Sequence, residues 1–251
     1  MWDAFNLNRW DALLVVAVSL MGTALAYLHH PKWKALILSL PIPFTVASLS
    51  VGARVNATHV LGLILLLLYT HEVRLLHVRL GFPIVPSIVV SAASYVVAGM
   101  VLAQVVPDTE MVFWVGASAA LVIAAAILLM TAHRVEPGHR TRLPVWVKLP
   151  VIVLVVFLLV ISKKLLQGFM TMFPMVGVVA AYEARHSLWT ICRQIPVFML
   201  CMVPLLIVAH LAQPRVGMGA SLALGWATFL CILLPLTRSM WKANEEAEDG
   251  L

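Results

Sequence analysis

KKLLQGFMTMFPMVGVVAAYEAR, residues 163–185, is an apolar run of membrane length with basic residues at both ends and a proline at its centre. KWKALILSLPIPFTVASLSVGAR, residues 32–54, has the same plan. Pro43 lies 11 residues from Lys32 and 11 from Arg54, which on a helix is about 16 Å each way. The charges therefore reach the two faces of a bilayer while the proline sits near its midplane. Lys163, Pro174 and Arg185 repeat the spacing. A Lys or Arg at a helix end can be an ordinary snorkelling anchor, so a functional reading of these four depends on the prolines.

Composition identifies the solvent. The chain is 62% hydrophobic and 11% charged, with a mean hydropathy of +0.99, whereas a soluble domain is about a quarter charged. Apolar runs able to span about 30 Å of hydrocarbon fall near residues 12–29, 34–53, 57–79, 83–106, 111–133, 145–162, 164–183, 190–211 and 216–237. The expected fold is all-α: a polytopic membrane protein of about nine transmembrane helices, with no soluble domain. The first run lacks a basic leader and a small-residue cleavage site, so it is expected to stay in the mature chain. Cys192, Cys201 and Cys231 lie within apolar runs and form neither a CxxC motif nor an even set for disulfides.

The net charge of +6 is explained by orientation, without invoking nucleic acid. Assigning connections alternately to two sides places Lys32, Lys34, Arg74, Arg79, Arg134, Arg140, Arg142, Lys148, Arg185, Arg193, Arg238 and Lys242 together, against Arg9, Arg54, Lys163, Lys164 and Arg215. The positive-inside rule then predicts the N-terminus outside and the C-terminus in the cytoplasm.

One offset of 131 residues lays Lys32 on Lys163, Pro43 on Pro174, Ala53 on Ala184, Arg54 on Arg185, Leu80 on Leu211 and Pro83 on Pro214 without a gap. It also sets Tyr95 against Trp226 and Arg79 against His210. The expected organisation is a first membrane repeat over 1–106, a linker helix and loop over 107–143, a second repeat over 144–238 and an acidic tail over 239–251. Four spans per repeat and one between them would invert the second copy relative to the first, the plan of many secondary transporters and channels. A duplication that merely enlarges a bundle is the plainer alternative.

Proline removes a backbone donor and pushes away the carbonyl four residues earlier, that of Ile37 for Pro41, Ser39 for Pro43 and Met170 for Pro174. In hydrocarbon such a carbonyl needs another partner, so broken helices are tolerated where they face protein or a wet cavity. Ser39, Thr45, Gln167 and Thr171 lie close enough to compensate, and Gly168 and Gly177 would permit close approach. These residues with Pro43 and Pro174 form the candidate midplane binding site, with Lys32 and Arg185 at the cytoplasmic entrance and Arg54 and Lys163 at the outer one. In YTHEVRLLHVR, residues 69–79, Glu72 is the candidate proton carrier, because acids at membrane depth mark ion pathways; a helix surfacing early with solvated charges is the alternative. Glu183 beside Arg185 has the same ambiguity.

Few acids lie at membrane depth, so a small anion or an anionic lipid headgroup is the expected substrate. Met170, Met172 and Met175 suit Cu(I) but equally fill gaps around a kink. The histidines show no HExxH or other ligand spacing, so neither a metal site nor a cofactor is expected. No GxSxG, Walker loop or nucleophile–base pair is present, which makes an enzyme the weaker class.

The basic residue, proline-broken apolar run and following Arg in KWKALILSLPIPFTVA and KKLLQGFMTMFPMVGVVAAYEAR resemble the small GlpM-type bacterial inner-membrane family. The resemblance covers about two spans of each half; this chain departs by joining two such units through an extra span and by carrying both Pro41 and Pro43 in its first copy. It implies location in a bacterial inner membrane and a role near envelope polysaccharide or lipid-linked sugar metabolism. It transfers no catalytic motif. The expected partners are membrane lipids, the anionic substrate and a second copy or other membrane-complex partner. A non-transporting protein of envelope assembly, scaffold or intramembrane lipid enzyme, is the alternative function.

Overall fold

A computed structural model describes residues 9–28, 31–131, 144–161 and 167–249. Among these, every regular element is helical. They are α1 (Arg9–Tyr27), α2 (Pro31–Leu38), α3 (Ile42–Val51), α4 (Ala57–Arg74, prolonged by a π turn over Leu75–Arg79), α5 (Ile84–Val105), α6 (Glu110–Met130) and α7 (Val145–Ile161). A 3₁₀ segment (Gln167–Met172), α8 (Met175–Glu183) and α9 (Leu188–Asp249) follow. Among the described residues five helices are long and apolar enough to cross a membrane: Arg9–Tyr27, Ala57–Arg79, Ile84–Val105, Glu110–Met130 and Leu188–Ser239. Leu36–Val51, Val145–Phe157 and Phe169–Glu183 are shorter apolar helices. The last of the five is bent at Gly217, whose φ of 77° and ψ of 172° depart from helix. Such a conformation costs a side-chain-bearing residue strain that glycine avoids.

The outer surface is apolar. Val85, Val89, Val97, Val101 and Val105 of α5 and Met111, Val115, Val122 and Leu129 of α6 are exposed. Helices that leave such rows uncovered are suited to hydrocarbon, where no water penalises the exposure. α4 occupies the centre, packed on α5, α6, α9 and the 3₁₀ segment. Small residues make this possible. Gly116, Ala117, Ala120 and Ala124 are buried on α6, and a Cβ on Gly62 of α4 would stand 2.7 Å from the Cβ of Met172, so the 3₁₀ segment approaches α4 through a gap left by hydrogen. α1 packs between α3 and α7.

The two stretches at 32–54 and 163–185 are broken helices. Pro41 is the N-cap of α3 and Pro43 lies in its first turn; Pro174 is the N-cap of α8. At these positions the missing N–H would have had no helical partner, so each proline starts a half-helix at little cost. Two of the three carbonyls expected to be stranded are satisfied locally where the backbone tightens: Ile37 O accepts from Leu40 N at 3.1 Å and Met170 O from Phe173 N at 3.2 Å. Pro41 O in turn accepts from both the backbone N at 2.9 Å and the hydroxyl of Thr45 at 2.8 Å.

Candidate functional site at the crossing of two broken helices

The two breaks meet. α3 packs against the 3₁₀ segment, and a cavity of about 60 Å³ is lined by Pro41, Pro43 and Phe44 from one break and by Thr171, Phe173 and Pro174 from the other. Leu66 and Thr70 of α4 and Ile191, Ile195 and Phe198 of α9 close it. The walls are mostly apolar. Thr70 and Thr171 supply hydroxyls, although Thr70 also donates to the Leu67 carbonyl at 2.9 Å. Gly177 also lines the cavity, and a Cβ there would lie 2.9 Å from that of Pro174.

Ser39 and Thr45 hold the first break to α9. The Gln194 side-chain amide donates to the Ser39 hydroxyl, and Trp226 Nε1 donates to Thr45 Oγ1 at 2.7 Å. At the other break Tyr95 of α5 donates to the Phe169 carbonyl of the 3₁₀ segment at 2.9 Å. Residues 95 and 226 are the pair aligned by the 131-residue offset, so each half's aligned aromatic donor anchors the broken helix of the other half.

The first helix of each half is tied to the end of that half's broken helix by a buried polar contact. Ser50 of α3 donates to Asp11 of α1, and Lys148 of α7 donates to Glu183 of α8. Lys148 and Glu183 are an ion pair with both side chains buried. Glu183 also lines a second cavity, of about 30 Å³, with Leu25, Lys34, Leu38, Ser187, Thr190 and Ile191 among others. Leu38 and Ile191 line both cavities, so the charged site and the crossing share a wall. Lysine contacts with hydrocarbon-buried acids cannot be inferred from α7 alone: Lys148 looks in sequence like an interfacial anchor, and its only local signal is a position in the first turn of an apolar run.

The remaining expected residues are dispersed. Arg54 is exposed in the connection between α3 and α4. Arg185 turns back onto its own element, with its guanidinium on the Tyr182 carbonyl at 3.0 Å and 5.1 Å from the Tyr182 ring centre. Glu72 is half-buried and accepts from Ser94 of α5 at 3.0 Å; neither cavity is lined by it. Lys163 lies outside the described residues, and only the backbone of Lys32 and Gln167 is described. Met170, Met172 and Met175 are buried in the apolar core. Among the described residues no three His, Cys, Asp or Glu side chains converge as metal ligands.

A third polar group lies at the start of α4. Asn56 caps that helix by accepting from Thr58 N and donates to Asp108 at 2.8 Å. His210 of α9 bonds the Val55 carbonyl at 2.7 Å and Glu110 at 3.1 Å, and stacks on Phe113 with ring centres 4.1 Å apart. These contacts staple the connections at that end and leave the cavities untouched. Comparison with family models, with curated proteins and with solved structures returns no match for this chain.

Proposed function

We propose that the protein is a bacterial inner-membrane transporter that moves a small anion or an anionic lipid headgroup through the crossing of its two broken helices. In this reading the chain crosses nine times, through α1, α2 with α3, α4, α5, α6, α7, the 3₁₀ segment with α8, and the two arms of α9. Two inverted four-helix repeats are joined by α6, with the N-terminus outside and the C-terminus cytoplasmic.

The observation that carries the reading is the shared cavity between Pro41, Pro43 and Pro174. Discontinuous helices from corresponding positions of two repeats, meeting around one site, are how inverted-repeat transporters bind substrate near the midplane. The exchange of donors between halves, Tyr95 to Phe169 and Trp226 to Thr45, involves the two aromatic residues that the 131-residue offset aligns and so agrees with the repeat. The anion class is supported by the cations Lys34 and Lys148 beside the adjoining cavity, where Glu183 is the single acid among its lining residues. Arg54 and Lys163 at one end and Lys32 and Arg185 at the other attract the substrate before it enters.

The test is flux in proteoliposomes containing the full chain, with radiolabelled sulfate, phosphate and acetate as soluble probes and fluorescent phosphatidylglycerol as the lipid probe. Uptake or flipping of at least one probe is expected, and its abolition by the double substitution Arg54→Gln and Arg185→Gln without loss of folding. Absence of flux for every probe, or full transport by the double variant, would overturn the reading.

A further inference from the structure

His210 of α9 stands where three segments meet at one end of the bundle. Its Nδ1 bonds the Val55 carbonyl, in the connection between α3 and α4, at 2.7 Å. Its Nε2 lies 3.1 Å from each carboxylate oxygen of Glu110, in the first turn of α6. The backbone N–H of Val55 donates in turn to Gln213 Oε1 at 3.0 Å, so α9 holds both backbone groups of that residue. The face of the imidazole rests on the buried ring of Phe113 in α6, with the two planes inclined by 18°.

These partners fix the number of protons. A carbonyl oxygen only accepts, so Nδ1 must carry hydrogen; a carboxylate also only accepts, so Nε2 must carry hydrogen as well. A neutral imidazole has a single N–H, and the closed arrangement therefore holds one proton more than a neutral ring beside a carboxylate. Imidazole is the stronger base of the two, and Glu110 is largely exposed to water, so the extra proton rests on the ring. Both contacts that depend on it go to α6. They are the bond to Glu110 and the stack on Phe113, since a cation over an aromatic face is attracted to it. The bond to Val55 needs only Nδ1–H and survives without the extra proton. Losing that proton turns the Nε2 lone pair toward the Glu110 carboxylate and replaces attraction by repulsion.

The other ionisable groups at this end have their own surroundings. On α4, His59 is buried within electrostatic reach of His210 and Asp108, and its Nδ1 is engaged by the Asn56 backbone N–H at 3.2 Å. Asp108, in the connection leading to α6, accepts from the Asn56 side chain. Arg54, before α4, and Arg215, beside the bend of α9, are exposed.

We propose that His210 is a proton site whose occupation locks α6 onto α9 through Glu110 and Phe113. An N–H bond forms at Nε2 with a proton drawn from the aqueous phase at that end, and the proton returns there when the lock opens. Closure takes up one proton, so it is favoured as pH falls and lost as pH rises. The proposal rests on the transport reading for its use in the cell, where this end faces outside and an external proton holds the helix that joins the two repeats. The lock itself is measured without flux.

The experiment uses the full chain in phosphatidylcholine bilayers, with isotope-labelled histidine read by solid-state NMR. Spin labels at Met111→Cys and Leu211→Cys, two exposed positions on α6 and α9, report the distance between the helices on a background with Cys192, Cys201 and Cys231 replaced. Lowering the pH is expected to convert His210 to the form with both ring nitrogens protonated and, over the same range, to narrow the label distances to one short population. Glu110→Gln keeps the ring but removes the carboxylate, and should weaken proton binding about tenfold, within the usual coupling between two sites. Both responses then move about one pH unit downward. His210→Gln should abolish the response of the labels to pH. A ring that stays singly protonated while the labels hold the short distance would overturn the site, as would an unchanged pH response in either variant. Flux with no proton-dependent distance would leave the transport reading standing, and a proton-dependent distance with no flux would leave the lock standing without it.

Discussion

Lys148 and Glu183 each lose their hydration on folding, and their attraction offsets that cost only while both are present. Removing one partner leaves a buried charge and typically costs about 3–5 kcal/mol, whereas replacing both by apolar groups is often neutral or better. Lys148→Met is therefore expected to lower stability by about 3 kcal/mol, and Lys148→Met combined with Glu183→Leu to restore most of it. Thermal unfolding in detergent micelles checks this; a double variant as unstable as the single one would show that the pair is not the stabilising unit. The aromatic donors make a gentler case. Tyr95→Phe removes one donor from the Phe169 carbonyl and Trp226→Phe one from Thr45, each worth about 0.5–1.5 kcal/mol. Equilibrium unfolding in mixed micelles should show both losses. Of these residues, Ser39 and Thr45 were legible in the sequence as polar groups beside a break, whereas the role of Lys148 was not, because an interfacial lysine and a buried one have the same local surroundings.

At the scale of elements, the breaks were legible because their cause is local: a proline without a donor ends one half-helix and begins the next wherever it stands. What the prolines do not encode is the backbone that receives the break. Met172 sits so close to Gly62 that an added Cβ would be 2.7 Å from its own Cβ, an atom fixed to the main chain that cannot rotate away. Gly62→Ala is expected to force α4 and the 3₁₀ segment apart at a cost of about 1–3 kcal/mol. Gly116→Ala, whose nearest neighbour would be 3.5 Å away on Val60, is expected to be nearly neutral. Comparing melting temperatures of the two variants decides it, and equal losses would contradict the close approach of the segment to α4.

At the scale of the whole molecule, the proposed inverted arrangement makes a prediction that no local contact can supply. Single cysteines at positions 108 and 139, on a background with Cys192, Cys201 and Cys231 replaced, are expected to react with an impermeant maleimide from opposite faces of the membrane. Labelling of both from one face would make the halves parallel and remove the basis for alternating access. This arrangement was suggested by the aligned Lys, Arg and Pro residues, and the count of long apolar helices is smaller than the count of apolar runs because breaks and bends divide the chain differently. Leu36–Val51 and Phe169–Glu183 are shortened by their prolines, Val145–Phe157 is also among the shorter helices, and Leu188–Ser239 joins two apolar runs by continuing through the bend at Gly217.

The sequence by itself determined that this chain is a bundle of apolar helices, that two of them are broken near their centres, and that basic residues bracket the breaks. Those properties arise from hydropathy and from proline's missing donor, which act over a few neighbouring residues. Only the tertiary structure decided that the breaks face each other across one cavity, and which polar groups meet. Lys148 and Glu183 are 35 residues apart in the chain, Ser39 and Gln194 155, and Thr45 and Trp226 181. In an interior without water each of these groups must find a partner, and packing determines which one.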